Sequence, residues 1–449
     1  MRLGRISYWY DDMGGLPARR APLEGDAKAE VCIIGAGYTG LWAAYTLKQL
    51  SPDLDVLILE KSFAGAGASG RNGGWLTGGF AWDHGRYGPL VSDLVTALRG
   101  AVEAVIATAE REGIDADIHR TDELTLAVNA AQAARMADEV ALRQSMGEPV
   151  TLMEGSALTD RVHVPSAVGA MVTPGVARIQ PAKLVQGLAR AVERMGVRIA
   201  EETEVTRIAP GEVETTRGVV TARTVLRATE GYTAGIPGLK RAWLPLNSAQ
   251  IVTAPLPDAI WQEIGWRGRE LIGDFANVYC YCQRTRDGRI AVGSRGVPYL
   301  FGSRTDSDGA PDPVTVRRLM AILSRYFPAA AEAKIAHAWC GVLGVPRDWC
   351  ATVGFDAETR IGWAGGYVGV GVSTSNLAGR TLADLTLGRD TDLTRLAWVN
   401  RPVKQWEPEP LRWLGVRGMY GLLHLADAQE ARGGGPSRWS KLGYWLAGR

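Results

Sequence analysis

Four apolar residues, Val31, Cys32, Ile33 and Ile34, run straight into Gly35-Ala36-Gly37-Tyr38-Thr39-Gly40. Leu41, Ala44, Tyr45 and Leu47 follow at helical spacing. The pattern predicts a buried strand, a tight turn and a helix start. A second apolar run, Val56-Leu57-Ile58-Leu59, predicts the next strand and ends in Glu60. Farther on, amphipathic periodicity predicts helices over 91–111, 131–146, 181–195, 314–326, 377–387 and 411–431. Alternating or β-rich runs predict strands over 123–128, 204–208, 218–222, 224–229, 250–253, 278–283, 289–293 and 335–339. Asp287-Gly288 between two such runs signals a hairpin.

The order of these elements sets the fold class. An α/β unit opens the chain, a strand-rich detour follows, and a glycine-rich strand–turn–helix returns near 361–387. This predicts a Rossmann-like nucleotide-binding domain built from separated segments, with an α+β domain carrying a mixed or antiparallel sheet inserted into it. Residues 29–80, 166–240 and 341–395 are assigned to the nucleotide domain. Residues 81–165 and 241–340 are assigned to a substrate domain, and 396–449 to a helical, Trp-rich tail that packs on the body or on another subunit. Ser7-Tyr8-Trp9-Tyr10 reads as a hydrophobic staple ahead of the first strand.

Each glycine of the first turn has its own task. Gly35 permits the sharp turn, Gly37 lets a pyrophosphate approach the backbone, and Gly40 lets the helix lie against the strand. Glu60 lies 20 residues beyond Gly40, where an acidic side chain accepts hydrogen bonds from a ribose. The loop 63–74 adds close-approach backbone, with Ser69, Arg71 and Asn72 as donors.

Composition narrows the function. A formal net charge of +2 supplies no domain-wide basic excess, which argues against nucleic acid as the main partner. Residues 1–21 hold no continuous apolar segment of the secretory kind, and no apolar run is long enough to span a membrane, so the cytoplasm is the expected compartment. Five cysteines in a chain of 449 residues do not make a disulfide framework, and no set of residues suggests a metal site. The five histidines are scattered, and His337 reads as a core residue.

Taken together, these motifs resemble the D-amino-acid oxidase/sarcosine oxidase superfamily of flavoproteins, and within it the gamma-glutamylputrescine-oxidase-like branch. The resemblance rests on 35–40, Glu60-Lys61, 67–74, 228–233 and the glycine-rich turn 369–376, with Ser7-Tyr8-Trp9 similar to the branch's N-terminus. It implies FAD. Gly35, Gly37, Tyr38, Thr39 and Gly40 would hold the pyrophosphate, and Glu60 with Lys61 the ribose end. Ala68, Ser69, Arg71, Asn72, Gly73 and Gly74 would run towards the isoalloxazine, and Val205 would flank the adenine. Thr229 and Gly231 fall in the fourth motif, and Gly371, Val372, Ser373 and Thr374 would face the flavin's polar edge.

The implied activity is oxidation of an amine or amino acid by hydride transfer to flavin N5. The imine then hydrolyses to a carbonyl compound, and O2 reoxidises the flavin with release of H2O2. Rival classes are an FAD-dependent dehydrogenase with another acceptor, a monooxygenase using NAD(P)H, and a non-enzymatic assembly subunit. In sarcosine oxidases a cysteine six residues before a Pro-Asp pair bonds the flavin. Cys340 stands six before Pro346, with Arg347 interposed before Asp348, so the resemblance raises a covalent flavin at Cys340. The lysine that those enzymes place before a Leu-Gly has no counterpart in Ile290-Ala291-Val292-Gly293, so either another cation such as Arg295 serves or oxygen is not the preferred acceptor. Tyr281 and Arg295 are the catalytic candidates, with Tyr279 and Arg284 as further wall or anion-binding residues; strand alternation lets only some of the four face inward, and an arginine inside would favour a carboxylate- or phosphonate-bearing amine.

Overall fold

In the computed structural model the described residues are 1–79, 84–294, 299–305, 308–433 and 435–448. A short helix α1 (Tyr8–Asp12) precedes the unit β1 (Ala27–Ile34), α2 (Tyr38–Leu50) and β2 (Val56–Leu59). Then come α3 (Val91–Arg111), β3 (His119–Ala127), α4 (Ala130–Ser145), β4 (Gly169–Arg178), α5 (Pro181–Arg194), β5 (Arg198–Ala200) and β6 (Gly218–Arg227). The strands β7 (Leu244–Thr253), β8 (Leu271–Asp274), β9 (Cys280–Arg284) and β10 (Ile290–Ser294) lead to α6 (Pro313–Tyr326) and β11 (Ile335–Val345). The chain closes with β12 (Thr352–Asp356), β13 (Ile361–Gly365), α7 (Gly371–Thr386), α8 (Leu411–Glu430) and α9 (Arg438–Ala447).

Two sheets result. The first runs β12–β13–β6–β1–β2–β5, parallel except for its edge pair. Its register brings the chemistry together. Ile34 pairs with both Leu59 and Arg227, and Leu59 pairs with Ala200. The turns that follow these strands therefore open along one edge, and they carry Gly35, Glu60, Thr229 and Val205. That edge is the carboxyl end of a parallel sheet, where such folds bind nucleotides. The second sheet runs β11–β7–β10–β9–β8–β3–β4 and is largely antiparallel.

Helix α2 is buried almost all round because it lies between the first sheet and α7. A Cβ on Gly379 would stand 2.6 Å from Trp42 Cβ, so only glycine lets the two helices approach so closely. Leu94, Leu98, Val102 and Val105 of α3 share that core. Among the described residues no helix is long and apolar enough to cross a membrane.

The structure departs from the periodicity in several places. Helix α7 begins at Gly371, six residues before the predicted start at Leu377. Ser373, Thr374 and Ser375 are weak helix formers; the Thr374 and Ser375 hydroxyls bond within the helix to the Val370 and Val372 carbonyls, and that of Ser373 donates to the distant Thr77 carbonyl, a tertiary contact that overrides propensity. Strand β4 is unmarked in the sequence because Pro174-Gly175 interrupts it, and the β3 register shifts between Thr121 and Glu123 to absorb them. Residues 218–227 form one strand where the pattern suggested two. Strand β11 runs on to Val345, beyond the predicted end at Trp339. Residues 169–178 and 341–345, assigned to nucleotide-domain segments, run in the second sheet.

Candidate active site

A cavity of about 510 Å³ opens along the carboxyl edge of the first sheet. Gly37 caps α2 without a side chain, and α7 likewise starts with no side-chain cap. Both bare helix N-termini border this one cavity, an arrangement suited to phosphate oxygens. Gly35 has φ +104°, and a Cβ there would stand 2.7 Å from the Ala228 carbonyl oxygen. A Cβ on Gly37 would lie 3.0 Å from Ser69 Oγ, which itself accepts the Tyr38 amide at 2.8 Å. Glu60 accepts the amides of Ala36 at 3.0 Å and Ser62 at 2.9 Å. Burial raises its pKa, and those amides oppose the rise. Its carboxyl group is thereby fixed in place.

Fourteen of the predicted cofactor residues line this cavity: Gly35, Gly37, Tyr38, Thr39, Glu60, Lys61, Ala68, Ser69, Arg71, Asn72, Val205, Thr229, Gly371 and Val372. Gly73 lines a neighbouring cavity instead. Gly40, Gly74, Gly231, Ser373, Thr374 and Cys340 line neither. Three of these are glycines at close contacts. A Cβ on Gly40 would fall 2.0 Å from the Gly35 carbonyl oxygen, and one on Gly231 2.7 Å from Val342 Cγ1. A Cβ on Gly74 would strike the Gln283 amide. Cys340 packs in the core of the second sheet with Ala249, Ile251, Cys280 and Cys282. Its neighbour Gly341 is the residue that faces Ala68 and Arg71.

The loop 63–74 is clamped through its carbonyls. Gly70 receives the Ser7 hydroxyl at 2.7 Å, and Asn72 the Trp9 indole N–H at 2.7 Å. Arg71 receives Gln250 at 2.7 Å and Trp339 at 2.9 Å, and Gly73 receives Gln283 at 2.7 Å. Donors from α1, β7, β9 and β11 thus fix one loop, and the N-terminal aromatics are part of the clamp. Only the staple role of 7–10 was readable beforehand.

The neighbouring cavity, about 480 Å³, lies over the second sheet. Ala68, Arg71, Asn72, Leu343, Gly369 and Val372 line both cavities, so the two spaces meet there. Tyr281 stands in the wall. Its hydroxyl shares a hydrogen bond with Ser248 Oγ at 2.9 Å, and its ring meets Trp75 edge-on at 6.2 Å. Gly73 and Gly293 make room for that ring, since a Cβ on Gly293 would lie 2.2 Å from it. Tyr279 also lines the wall. Arg284 does not: it stacks on Trp261 at 3.9 Å, away from the cavity. Arg295 falls outside the described residues. His337 is buried, with Nε2 2.8 Å from the Gly4 carbonyl and Nδ1 3.0 Å from Asp11, and burial lowers its pKa.

The second cavity is electrostatically mixed. Arg135 pairs with Glu430 and Arg143 with Glu148. Glu123 takes hydroxyl hydrogen bonds from Thr77 and Thr125. Glu139 faces the same space, and burial raises its pKa. Near the junction, Glu230 accepts the amides of Gly344 and, at 3.0 Å, Tyr367. Burial pushes it up to about 7, against the pull of those amides and of Arg227. Glu230 lies within the 228–233 motif but was not singled out, and Tyr367 and the tail residues in the wall carried no sequence signal of their own.

Comparison with known proteins agrees with this geometry. The profile of the family described as "DAO: FAD dependent oxidoreductase" matches residues 30–385. Gamma-glutamylputrescine oxidoreductase of Escherichia coli (strain K12) is 30% identical over 371 residues, 80% of this chain and 84% of that protein. Glycine oxidase from Geobacillus kaustophilus superposes with a TM-score of 0.71 at 23% identity, covering 84% of this chain and 100% of that one. L-proline dehydrogenase from P. horikoshii gives 0.68 at 20% identity, covering 82% and 95%. These two structures speak to the fold.

Proposed function

From the premise that this chain belongs to the DAO family of FAD-dependent oxidoreductases, we propose that it oxidises the C–N bond of an amine and passes the electrons to O2. The carrying observation is the meeting of the two cavities at Ala68, Arg71, Asn72, Leu343, Gly369 and Val372. A nucleotide cradle on one side and a partly apolar chamber on the other support a flavin ring bound at the junction. Gly35, Gly37 and the start of α2 would hold the pyrophosphate, Glu60 the ribose, and Val205 the adenine side. The start of α7, with Gly371 and Val372, would face the ring's polar edge.

FAD bound there supplies the hydride acceptor for the substrate α-carbon and the two electrons that reduce O2 to H2O2. The protein's part is positioning and charge. Tyr281, held by Ser248 and Trp75, forms the wall that orients the amine. Loss of hydride leaves an imine, which water hydrolyses to a carbonyl compound and an amine or ammonia. Arg71 is buried, lines both cavities and donates to the Ala66 and Cys340 carbonyls, so its charge is fixed at the junction. It takes the electrostatic role towards oxygen that no lysine in β10 can fill.

An amine is favoured over a carboxylate-bearing substrate. Of the chamber's arginines, Arg135 and Arg143 are paired with Glu430 and Glu148 and Arg71 is bonded to the Ala66 and Cys340 carbonyls, while the carboxyl groups of Glu123 and Glu139 face the same space. The test is an anaerobic screen of amines, N-methyl amino acids and D-amino acids against the purified yellow protein, followed by admission of air. Bleaching by amines with peroxide formed on re-aeration supports the reading. Reduction by NADPH and by no amine overturns it.

A further inference from the structure

The chamber has a wall that the nucleotide cradle does not supply. Helices α8 and α9 lie beyond residue 385, where the family profile ends. Met419, Tyr420 and Leu423 of α8 and Tyr444 and Ala447 of α9 nevertheless line the second cavity. Met419 and Leu423 are one helical turn apart, as are Tyr444 and Ala447, so each helix offers one face. Gly443 lets the two helices close up, since a Cβ there would lie 2.9 Å from Leu423 Cδ2.

This wall is fixed by polar anchors rather than laid loosely over the opening. Asp427 accepts the Asn277 amide and side chain, both at 2.8 Å, and the Val278 amide at 2.9 Å. Glu430, 1% exposed, takes both arms of Arg135 at 3.0 and 2.8 Å and also the Ser437 amide at 3.1 Å. Tyr444 donates to Asn277 Oδ1 at 3.1 Å. Asn277, Val278 and Arg135 line the cavity themselves, so the anchors set the distance from the tail to the site.

We infer that the C-terminal helices are the specificity wall of the substrate chamber, and that Met419, Tyr420 and Leu423 select amines with an extended, unbranched apolar chain over compact amino acids. The inference rests on the amine-oxidising reading for the position of the reacting end. A compact amino acid reacting at the junction would leave most of a 480 Å³ chamber to water and this wall uncovered. A methylene chain running from the junction would cover it, and thioether and aromatic surfaces accommodate such chains without demanding one shape. Each added methylene buried there should raise affinity about fourfold.

The test uses the holoenzyme and straight-chain primary amines from ethylamine to octylamine, with glycine alongside. Binding is read by calorimetry and by perturbation of the flavin spectrum, and flavin reduction is followed separately without oxygen. Two variants are compared at equal flavin content, Leu423→Ala and Leu423→Trp, so that a folding failure in one does not decide the matter. The expected result is a rise in affinity with chain length, a shallower rise in Leu423→Ala, and in Leu423→Trp a loss of at least tenfold confined to the longest amines. Equal slopes in all three proteins, or tightest binding of glycine, overturn the inference. Length-dependent binding without flavin reduction would sink the amine-oxidising reading and leave the wall standing. Reduction that ignores both chain length and Leu423 would do the reverse.

Discussion

The indole N–H of Trp9 donates to the carbonyl oxygen of Asn72 at 2.7 Å, joining the N-terminal helix to the loop shared by the two cavities. Trp9 is 1% exposed and its ring meets Trp339 edge-on at 6.0 Å. Trp9→Phe keeps most of the packing and removes the donor. A hydrogen bond of this kind contributes about 1 kcal/mol. FAD should therefore dissociate about fivefold more readily from Trp9→Phe, as measured by flavin fluorescence after dilution. Trp9→Ala should cost about 3–5 kcal/mol of stability as well. Unchanged flavin retention in Trp9→Phe would mean that the clamp does not shape the cofactor site.

The nucleotide half of the site was legible because its information is local. Gly35, Gly37, Gly40 and Glu60 sit at fixed offsets within one β-α-β unit, and the parallel register of β1, β2 and β6 does the rest. The clamp was not legible, because Gln250, Gln283 and Trp339 come from strands far along the chain and resemble any other buried residue in a sheet. Arg284 was misplaced for a related reason: strand alternation allows two faces, and Trp261 decides which one it takes. The start of α7 was misread because the Ser373 hydroxyl donates to the carbonyl of Thr77, 296 residues away, a contact that no local pattern shows. The tail revealed an amphipathic helix but not the cavity beneath it.

Glu230 makes stability pH-dependent. Its folded pKa is about 7, raised from an ordinary 4.5 by burial. Between those values the unfolded chain has released the proton that the folded chain still holds, so stability falls as pH rises. The contribution is fully present below about pH 4.5 and is gone above about 7, a change of about 3 kcal/mol. Denaturant titrations of the wild type from pH 5 to 8 should show the decline. Glu230→Gln, whatever its absolute stability, should flatten it. A variant with the wild-type slope would place the titrating group elsewhere.

Tyr281 tests the chamber wall near the junction. Tyr281→Phe removes the hydroxyl that bonds Ser248 and leaves the ring between Gly73, Gly293 and Trp75. Flavin content should stay the same while anaerobic reduction by the best amine slows about fivefold, the equivalent of one neutral hydrogen bond. Ser248→Ala should slow it to a similar degree, and the double variant should be no worse than either single one if the pair acts as a unit. Additive losses would show that the two side chains act separately on the substrate.

Cys340 decides how the flavin is held. The spacing to Pro346 suggested a thioether, but strand alternation turns the thiol into the core beside Ala249 and Cys282, and Gly341 occupies the face towards Ala68 and Arg71. A bond to the flavin would require β11 to shift by one residue, which would reverse the face of every side chain along it, Trp339 included. The expected state is therefore noncovalent FAD. Acid precipitation should leave all of the yellow colour in the supernatant, and Cys340→Ala should bind the wild-type amount of FAD while losing some stability. Flavin that stays with the pellet in the wild type and leaves it in Cys340→Ala would require that strand to sit in the other register.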